Sequence, residues 1–266
     1  MIRKNATEFD CNSPGVKNVC IFLADYSAFL FASGATCIRV NKNVERIANA
    51  YCMKAEMTIM PRHIHMAVKD ECNGEIVTSI TRVCDTGINF RINTELSRLS
   101  WAIADSKICF DNAIMRMYEV VKVQQQNKFL LLMLVTLANA SFCRLFGGDA
   151  IAMAIVALAT FAGFHVKQLM TSRKIDTRII FIVCSFVSSV LGATGMLFSM
   201  GNTPDIAIAT SVLYLVPGIP FLNSFSDLLY KNYLCAFSRF ADAVVLTCCL
   251  SLGLCLGLSL MKVGIF

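Results

Sequence analysis

The chain has 266 residues, of which 56% are hydrophobic and only 16% are charged, and its mean hydropathy is +0.62. Soluble globular domains have about 45–50% apolar and about 25% charged residues, so this composition excludes an ordinary soluble protein. The formal net charge of +6 is spread along the chain, without the concentrated basic patch that nucleic-acid binding requires.

The charged residues are distributed unevenly. Residues 1–128 carry 16 Lys and Arg and 13 Asp and Glu, whereas the remaining 138 residues carry 8 and 5. The sequence therefore predicts an α+β cytoplasmic domain over residues 1–127, followed by an all-α membrane domain over residues 128–266. Because no apolar stretch follows Arg3 and Lys4, we expect no cleaved signal peptide.

The first domain is predicted to contain four helices and three strands. Apolar residues recur at helical spacing in some segments and alternate in others. The predicted helices are residues 19–32, 36–51, 92–104 and 106–126, and the predicted strands are residues 56–60, 63–69 and 75–82. Residues 70–74 are predicted to form a hairpin turn, and Asp105 is the predicted N-cap of the fourth helix.

His63 and His65 lie on the same face of the second predicted strand, which is the spacing of a partial metal site. Two histidines do not complete a zinc site, so we expect an exposed strand face, with no metal and no cofactor. An enzyme that uses these histidines with an acid such as Asp85 is an alternative with little support. Because phosphate-binding, dinucleotide and esterase motifs are absent from the sequence, no ATP-driven pump is predicted. A polar domain joined to membrane helices is also an unlikely layout for a free enzyme, so no enzymatic activity is expected.

The thirteen cysteines include no C-x-x-C pair and have irregular spacings. Buried free cysteine behaves as a small hydrophobic residue, and a protein that faces a reducing cytosol has little use for disulfides. We therefore expect free thiols, five of which lie within apolar segments: Cys143, Cys184, Cys248, Cys249 and Cys255.

Five apolar segments of the second domain approach the length of about 20 residues that a membrane helix needs. They are approximately residues 129–146, 150–166, 179–200, 206–221 and 243–261. The gaps after the second and fourth segments contain basic residues, and the other two gaps contain none. The positive-inside rule therefore places the N-terminus in the cytoplasm and the C-terminus outside.

The end of the fourth segment has the most specific polar sequence. Pro217, Gly218 and Pro220 cannot continue a helix, and irregular backbone at membrane depth survives only when packed in protein or lining a wet cavity. Ser224 and Asp227 resemble a capping box, so we expect a new helix at Ser224, whose free amides could bind an anion. The alternative is a tight interfacial turn that merely ends the fourth helix.

Four further residues complete the predicted substrate site: Arg144, Tyr214, Asn223 and Arg239. Arg144 is the only Lys or Arg residue within the five apolar segments, and a charge in a membrane is costly and often functional. Its side chain could instead extend to the outer surface. The guanidinium group of Arg239 would bind a carboxylate through two donors. Five membrane helices without an internal repeat suggest a homo-oligomer or a partner protein that completes the pathway.

Several short motifs occur in a specific order along nearly the whole chain. They are Ser33-Gly34-Ala35, Arg39-Val40, Ile47-Ala48, Thr81-Arg82-Val83, Asn89, Leu96-Ser97, Phe146-Gly147-Gly148-Asp149, Pro217-Gly218-Ile219-Pro220, Asn223, Asp227-Leu228-Leu229, Tyr233, Ser238-Arg239 and Ala243. In this order they resemble the threonine/serine exporter family. Full-length members of that family have about twice as many membrane helices, so this chain looks like the large subunit of the split, two-component form.

This resemblance implies a small membrane partner subunit and a multi-pass location in the bacterial inner membrane. The split form is associated with succinate export and the fused form with threonine and serine export, so either substrate class fits the resemblance. The alternative is a membrane-anchored ligand-sensing or regulatory module. The proline-rich interruption favours transport, because a simple anchor has no need of a broken helix.

Overall fold

The computed structural model describes residues 14–84, 87–122, 127–198 and 201–262. These residues form two compact units. The first, called here the N-terminal unit, comprises the described parts of Met1–Val123 together with Leu222–Arg239. The second, called the helical unit, comprises the described parts of Gln124–Phe221 and Phe240–Phe266. A segment from the C-terminal half of the chain therefore folds with the N-terminal unit.

The N-terminal unit has the α+β character that the sequence predicts. Its elements are α1 (Val16–Ala32), α2 (Cys37–Ala50), β1 (Met53–Ile59), β2 (His63–Asp70), β3 (Ile76–Arg82), α3 (Phe90–Ala104) and α4 (Phe110–Lys122). All four predicted helices and all three predicted strands are present, with shifted ends.

The three strands form an antiparallel sheet in the order β1-β2-β3. On β2, the side chains of Ile64, Met66 and Val68 are buried in the core of the unit, whereas those of His63 and His65 are exposed. This alternation is the period of two expected for a sheet with one solvent-facing side. The prediction of an exposed histidine face is confirmed.

Helix α1 forms the centre of this core. Nearly all sides of α1 carry apolar residues, which is typical of a helix that is fully enclosed by protein. Within it, Val19, Leu23 and Leu30 are completely buried. The hydroxyl group of Tyr26, also completely buried, donates to the carbonyl oxygen of Leu96 at 2.8 Å. Burial raises the pKa of Tyr26, so its hydroxyl group remains a donor at neutral pH.

The predicted role of Asp105 is wrong. Asp105 is the C-cap of α3, and its backbone N–H still donates to the carbonyl oxygen of Trp101. Ser106 then adopts a left-handed conformation with φ of 55°, which ends the helix, and α4 begins only at Phe110. The last predicted residue of α4, Gln126, lies outside the described residues.

The helical unit contains α5 (Lys128–Leu145), α6 (Ala150–Ser172), α7 (Thr177–Gly192), α8 (Thr194–Leu197), α9 (Pro204–Ser211) and a 3-10 turn (Leu213–Leu215). Helices α10 (Gly218–Leu229) and α11 (Tyr233–Leu260) are shared between the two units. In the described part of the chain, four helical segments are long and apolar enough to cross a membrane, and a fifth is obtained if the bent pair Pro204–Leu215 and Gly218–Leu229 is one span.

Two predicted boundaries near this bent pair are wrong. Helix α10 begins at Gly218, so Ser224 lies inside a helix and does not cap one. Helix α11 begins at Tyr233, ten positions before the predicted start at residue 243, so Arg239 also lies inside a helix. The charge of Arg239 suggested a loop, but this charge is paired with Asp227 in the folded unit.

The cysteines are mostly free, as expected: eleven of the thirteen are free thiols in the described residues. The expectation is wrong for Cys109, which is disulfide-bonded. Disulfide formation depends on the distance between two Cα atoms, and sequence spacing does not reveal that distance. Of the five cysteines in apolar segments, Cys143 and Cys184 are buried, whereas Cys248 and Cys255 are exposed.

Candidate functional site

Four of the nine predicted site residues lie in the segment Leu222–Arg239, which we call the 222–239 hairpin. It consists of the later part of α10, a short connection and the start of α11. The hydroxyl group of Ser224 on α10 donates to the carbonyl oxygen of Ala236 on α11 at 2.8 Å. Ser224 is therefore a buried link between the two arms of the hairpin.

The hairpin contacts the turn between α1 and α2, which contains the Ser33-Gly34-Ala35 motif. Gly34 has a φ of +91°, a conformation that side chains disfavour, and an added Cβ would lie 3.1 Å from Ile88. The carbonyl oxygen of Ser33 accepts from the backbone N–H of Asn89. The amide side chain of Asn223 donates to the carbonyl oxygen of Gly34 at 2.9 Å.

An ion pair forms the centre of this contact. Nη1 of Arg239 donates to Oδ2 of Asp227 at 2.9 Å, and Nη2 donates to the carbonyl oxygen of Ala35 at 2.8 Å. The guanidinium group also stacks 4.4 Å from the centre of the Phe31 ring. The second carboxylate oxygen of Asp227 accepts from the backbone N–H of Cys37 at 2.8 Å.

This ion pair is shielded from water, since the side chain of Asp227 is 0% exposed and that of Arg239 is 15% exposed. Burying charges is costly unless they are paired and hydrogen-bonded, and both conditions hold here. Asp227 also caps α2, whose own N-cap residue Thr36 makes no side-chain capping bond. A carboxylate at this position interacts favourably with the helix dipole.

Two thiols lie beside the ion pair. Cys37 and Cys235 are both buried and hydrogen-bond to each other, and Cys235 also donates to the carbonyl oxygen of Ile59 at 3.3 Å. The hydrogen bond to Cys235, together with burial, raises the pKa of Cys37. Its thiol therefore remains protonated at neutral pH and adds packing instead of reactivity.

The other five predicted residues, Arg144, Tyr214, Pro217, Gly218 and Pro220, belong to the helical unit. Tyr214 lies in the 3-10 turn just before the proline-rich interruption. Its hydroxyl oxygen is 2.9 Å from that of Ser188 on α7, and its ring meets that of Phe164 on α6 edge-on, with 6.0 Å between centroids.

A second polar contact lies in the same unit. The amide side chain of Asn139 on α5 donates to the hydroxyl oxygen of Thr160 on α6 at 2.6 Å, and to the carbonyl oxygen of Thr210 on α9 at 3.1 Å. Helix α9 ends at Ser211, and the last carbonyl groups of a helix lack partners within it. Asn139 satisfies one of these carbonyl groups, so it stabilises the end of the broken helix.

The interruption itself lies between the 3-10 turn and α10. The segments Pro204–Leu215 and Gly218–Leu229 are bent by 62° relative to each other. Pro217 is buried in the connection, and Pro220 is in the first turn of α10, where a helix tolerates proline because the first N–H groups have no partner within it. The predicted break at the prolines is confirmed.

Arg144 lies at the exposed end of α5, where Nη1 donates to the carbonyl oxygen of Gly148 at 3.1 Å. In the same turn, Asp149 caps α6 through the backbone N–H of Ala152 and also accepts from the backbone N–H of Asn202, each at 2.7 Å. These N–H donors, with Asn202 contributing most, lower the pKa of Asp149. The turn thereby holds together two connections of the helical unit.

Sequence reasoning missed Thr160 and Ser188, which are both completely buried within apolar helices. The sequence signal for these two residues was weak, because hydroxyl residues are common in apolar helices. Which neighbouring helix such a side chain contacts depends on the packing of the helices. Within the described residues, no group of three side chains is arranged to hold a metal ion. Asp85, which the enzymatic alternative required, lies outside them.

Comparisons with known proteins agree with this architecture. The family model described as "Putative threonine/serine exporter" matches residues 22–261. A protein of Klebsiella aerogenes named "Probable succinate transporter subunit YjjP" is 29% identical over 248 residues, which cover 92% of this chain and 93% of that protein. A protein of the same name from Escherichia coli is 27% identical over 235 residues, covering 87% and 90%. No solved structure matches the chain.

Proposed function

Because the chain belongs to the threonine/serine exporter family, we propose that it is one subunit of a secondary exporter that carries a small carboxylate-bearing metabolite out of the cytoplasm. The two relatives named as succinate transporter subunits favour a dicarboxylate such as succinate. Threonine and serine, which the family description names, are the second substrate class. Both classes carry a carboxylate.

The broken span in the helical unit is the observation that carries this proposal. Secondary transporters commonly bind substrate near the bilayer midplane, at helices that are interrupted. Irregular backbone at that depth needs protein or water around it. Here the interruption at Pro217 follows a turn whose Tyr214 pairs with Ser188 on a neighbouring helix, and Asn139 supports the end of α9. We therefore propose that the substrate passes beside this interruption.

The nine predicted residues divide into two proposed roles. Tyr214, Pro217, Gly218 and Pro220 line the substrate path, and Arg144 stabilises the turn after α5. The four residues of the 222–239 hairpin act on transport from the N-terminal unit, where Arg239 and Asp227 hold the hairpin on the turn between α1 and α2. Arg239 would bind a substrate carboxylate only if that carboxylate displaced the carboxylate of Asp227 from the guanidinium group.

We further propose that a second membrane subunit completes the transporter, as the word "subunit" in the relatives' names suggests. Large apolar side chains lie on the outside of the helical unit, including Leu137, Leu158 and Leu252, which are more than half exposed. These surfaces suit lipid or a partner helix. The proposed location is the bacterial inner membrane, with the N-terminus in the cytoplasm, and reporter fusions after Arg173 and Phe266 test this orientation.

Efflux measurements test the proposed function. Cells of the native host that lack this chain are loaded with labelled succinate or threonine and complemented with wild type or Pro217→Ala. We expect wild type to restore export, and Pro217→Ala to export less per molecule, because the connection before α10 would lose the proline that restricts its backbone and withholds an N–H donor. Abundance in the membrane is measured in parallel, so that a folding defect is not mistaken for a transport defect.

Two results would contradict the proposal. If cells without the chain export both compounds at the wild-type rate, the chain is not an exporter subunit, and the alternative of a regulatory module is favoured. If the purified chain alone transports at full rate in vesicles, the proposed second subunit is not needed.

A further inference from the structure

A lysine inside the helical unit has surroundings that the positive-inside pattern does not explain. Lys167 lies within α6, before that helix ends at Ser172. Its Nζ is 5.8 Å from the centre of the Phe164 ring and 5.4 Å from that of Phe181 on α7. The side chain is half-buried and lies between two helices, so it is not extended past the end of α6 toward water.

This ammonium group lacks an anionic partner in the part of the chain that the structure describes. Among the described residues, neither an ion pair nor a hydrogen bond to an oxygen involves Lys167. By contrast, the guanidinium groups of Arg144 and Arg239 donate to protein oxygens. Two aromatic rings stabilise a cation only partly, and an unpaired charge within a membrane helix is costly and usually functional.

Lys167 is also close to the interruption of the fourth span. The ring of Phe164 contacts both the ammonium group of Lys167 and the ring of Tyr214. Tyr214 precedes the break and pairs with the hydroxyl group of Ser188. The ring of Phe164 therefore lies beside both a positive charge and Tyr214, next to irregular backbone. Ammonium and hydroxyl groups are the donors that bind a carboxylate away from bulk water.

We propose that Lys167 binds the carboxylate of the transported substrate beside the broken span, with Tyr214 and Ser188 contributing hydroxyl groups. This assignment rests on the proposed export function and specifies its substrate contact. The substrate anion supplies the charge that Lys167 lacks, while the rings of Phe164 and Phe181 limit the access of water. The chemistry is common to a dicarboxylate and to a zwitterionic amino acid.

The test uses the complementation strain described above and compares Lys167→Met with Arg173→Gln. Methionine retains the length of the side chain and removes its charge, so the helix should still fold. Arg173 is exposed at the C-cap of the same helix, so its replacement removes the same charge from the same end. Membrane abundance and reporter fusions establish that both variants insert in the normal orientation.

We expect Lys167→Met to raise the half-saturating succinate concentration roughly 10- to 100-fold, the loss of one charged hydrogen bond, and Arg173→Gln to change it less than about twofold. Lys167→Arg should retain part of the activity. Lys167→Met should also lose the preference that we expect wild type to show for succinate over its monoamide. A purely structural role of Lys167 would not produce this change. Threonine efflux is measured as a separate arm, to establish which carboxylate is carried.

Unchanged half-saturation and unchanged discrimination in Lys167→Met, with wild type active, would overturn the assignment and leave the export function intact. Equal losses in Lys167→Met and Arg173→Gln would also overturn it, since they would trace the effect to topology. Absence of chain-dependent export of either substrate in wild type would overturn the proposed function and the assignment together.

Discussion

Removal of one partner of the Asp227–Arg239 pair should destabilise the N-terminal unit far more than removal of both. Asp227→Leu leaves the guanidinium group of Arg239 without its carboxylate and the N–H of Cys37 without an acceptor. Arg239→Met leaves a buried carboxylate that, among the described residues, retains the N–H of Cys37 as its donor. In the double variant, apolar side chains replace both charges.

The burial of the pair sets the magnitude. The Asp227 side chain is 0% exposed and that of Arg239 is 15% exposed, at 2.9 Å. Loss of one partner of such a pair costs about 3–5 kcal/mol, whereas apolar replacement of both is often neutral. Asp227→Leu should cost about 1 kcal/mol more than Arg239→Met, because it also removes the cap of α2. The single variants should therefore unfold roughly 10 °C below wild type.

Tryptophan fluorescence provides the assay, because the chain has a single tryptophan. Trp101 lies on α3 of the N-terminal unit, with the guanidinium group of Arg46 at 3.8 Å from its ring. Unfolding of the full chain in detergent is followed through this signal. A matched control is Arg98→Ala, which breaks an exposed pair with Glu95 at 2.7 Å and should cost less than about 1 kcal/mol.

The double variant decides the argument. If the losses of the two single variants add, so that the double variant is the least stable of the three, the pair is not an interdependent buried unit. A loss in Arg98→Ala as large as that in Arg239→Met would likewise refute the role of burial.

Two further predictions concern the helical unit. Gly163→Ala should lower both heat stability and export, because its Cβ would collide with the hydroxyl groups of Tyr214 and Ser188. Gly218→Ala is the control, because the space around its Cβ is open, and it should leave heat stability unchanged. Equal heat stability of the two variants would contradict this prediction. Asp149→Ala should lower heat stability at pH 7. Because the folded pKa of Asp149 lies below its ordinary value of 3.8, its contribution is present above that value and is lost as the pH falls through the folded pKa. The difference in heat stability between Asp149→Ala and wild type should therefore be constant from pH 6 to 8 and shrink below about pH 4. A difference that changes between pH 6 and 8 would contradict this role of Asp149.

The sequence by itself determined the features that depend on local pattern. Apolar periodicity located the helices and strands of the N-terminal unit, and long apolar segments located the membrane helices. The prolines at 217 and 220 located the helix break, because proline restricts the backbone wherever it occurs. The ordered motifs identified the family, which the family comparison confirms.

Only the tertiary structure decided which distant residues are partners. The sequence placed Asp227 in a short helix that starts at Ser224 and Arg239 in the gap before the fifth apolar segment, and it offered both to a substrate. The fold instead pairs them with each other and joins them to the turn between α1 and α2. The same holds for Lys167, which belongs to the basic gap directly after the predicted segment 150–166 and which the fold places between the rings of Phe164 and Phe181. A charge in an apolar sequence looks exposed until its partner is known, and that partner can lie some two hundred residues away, as Ala35 does from Arg239.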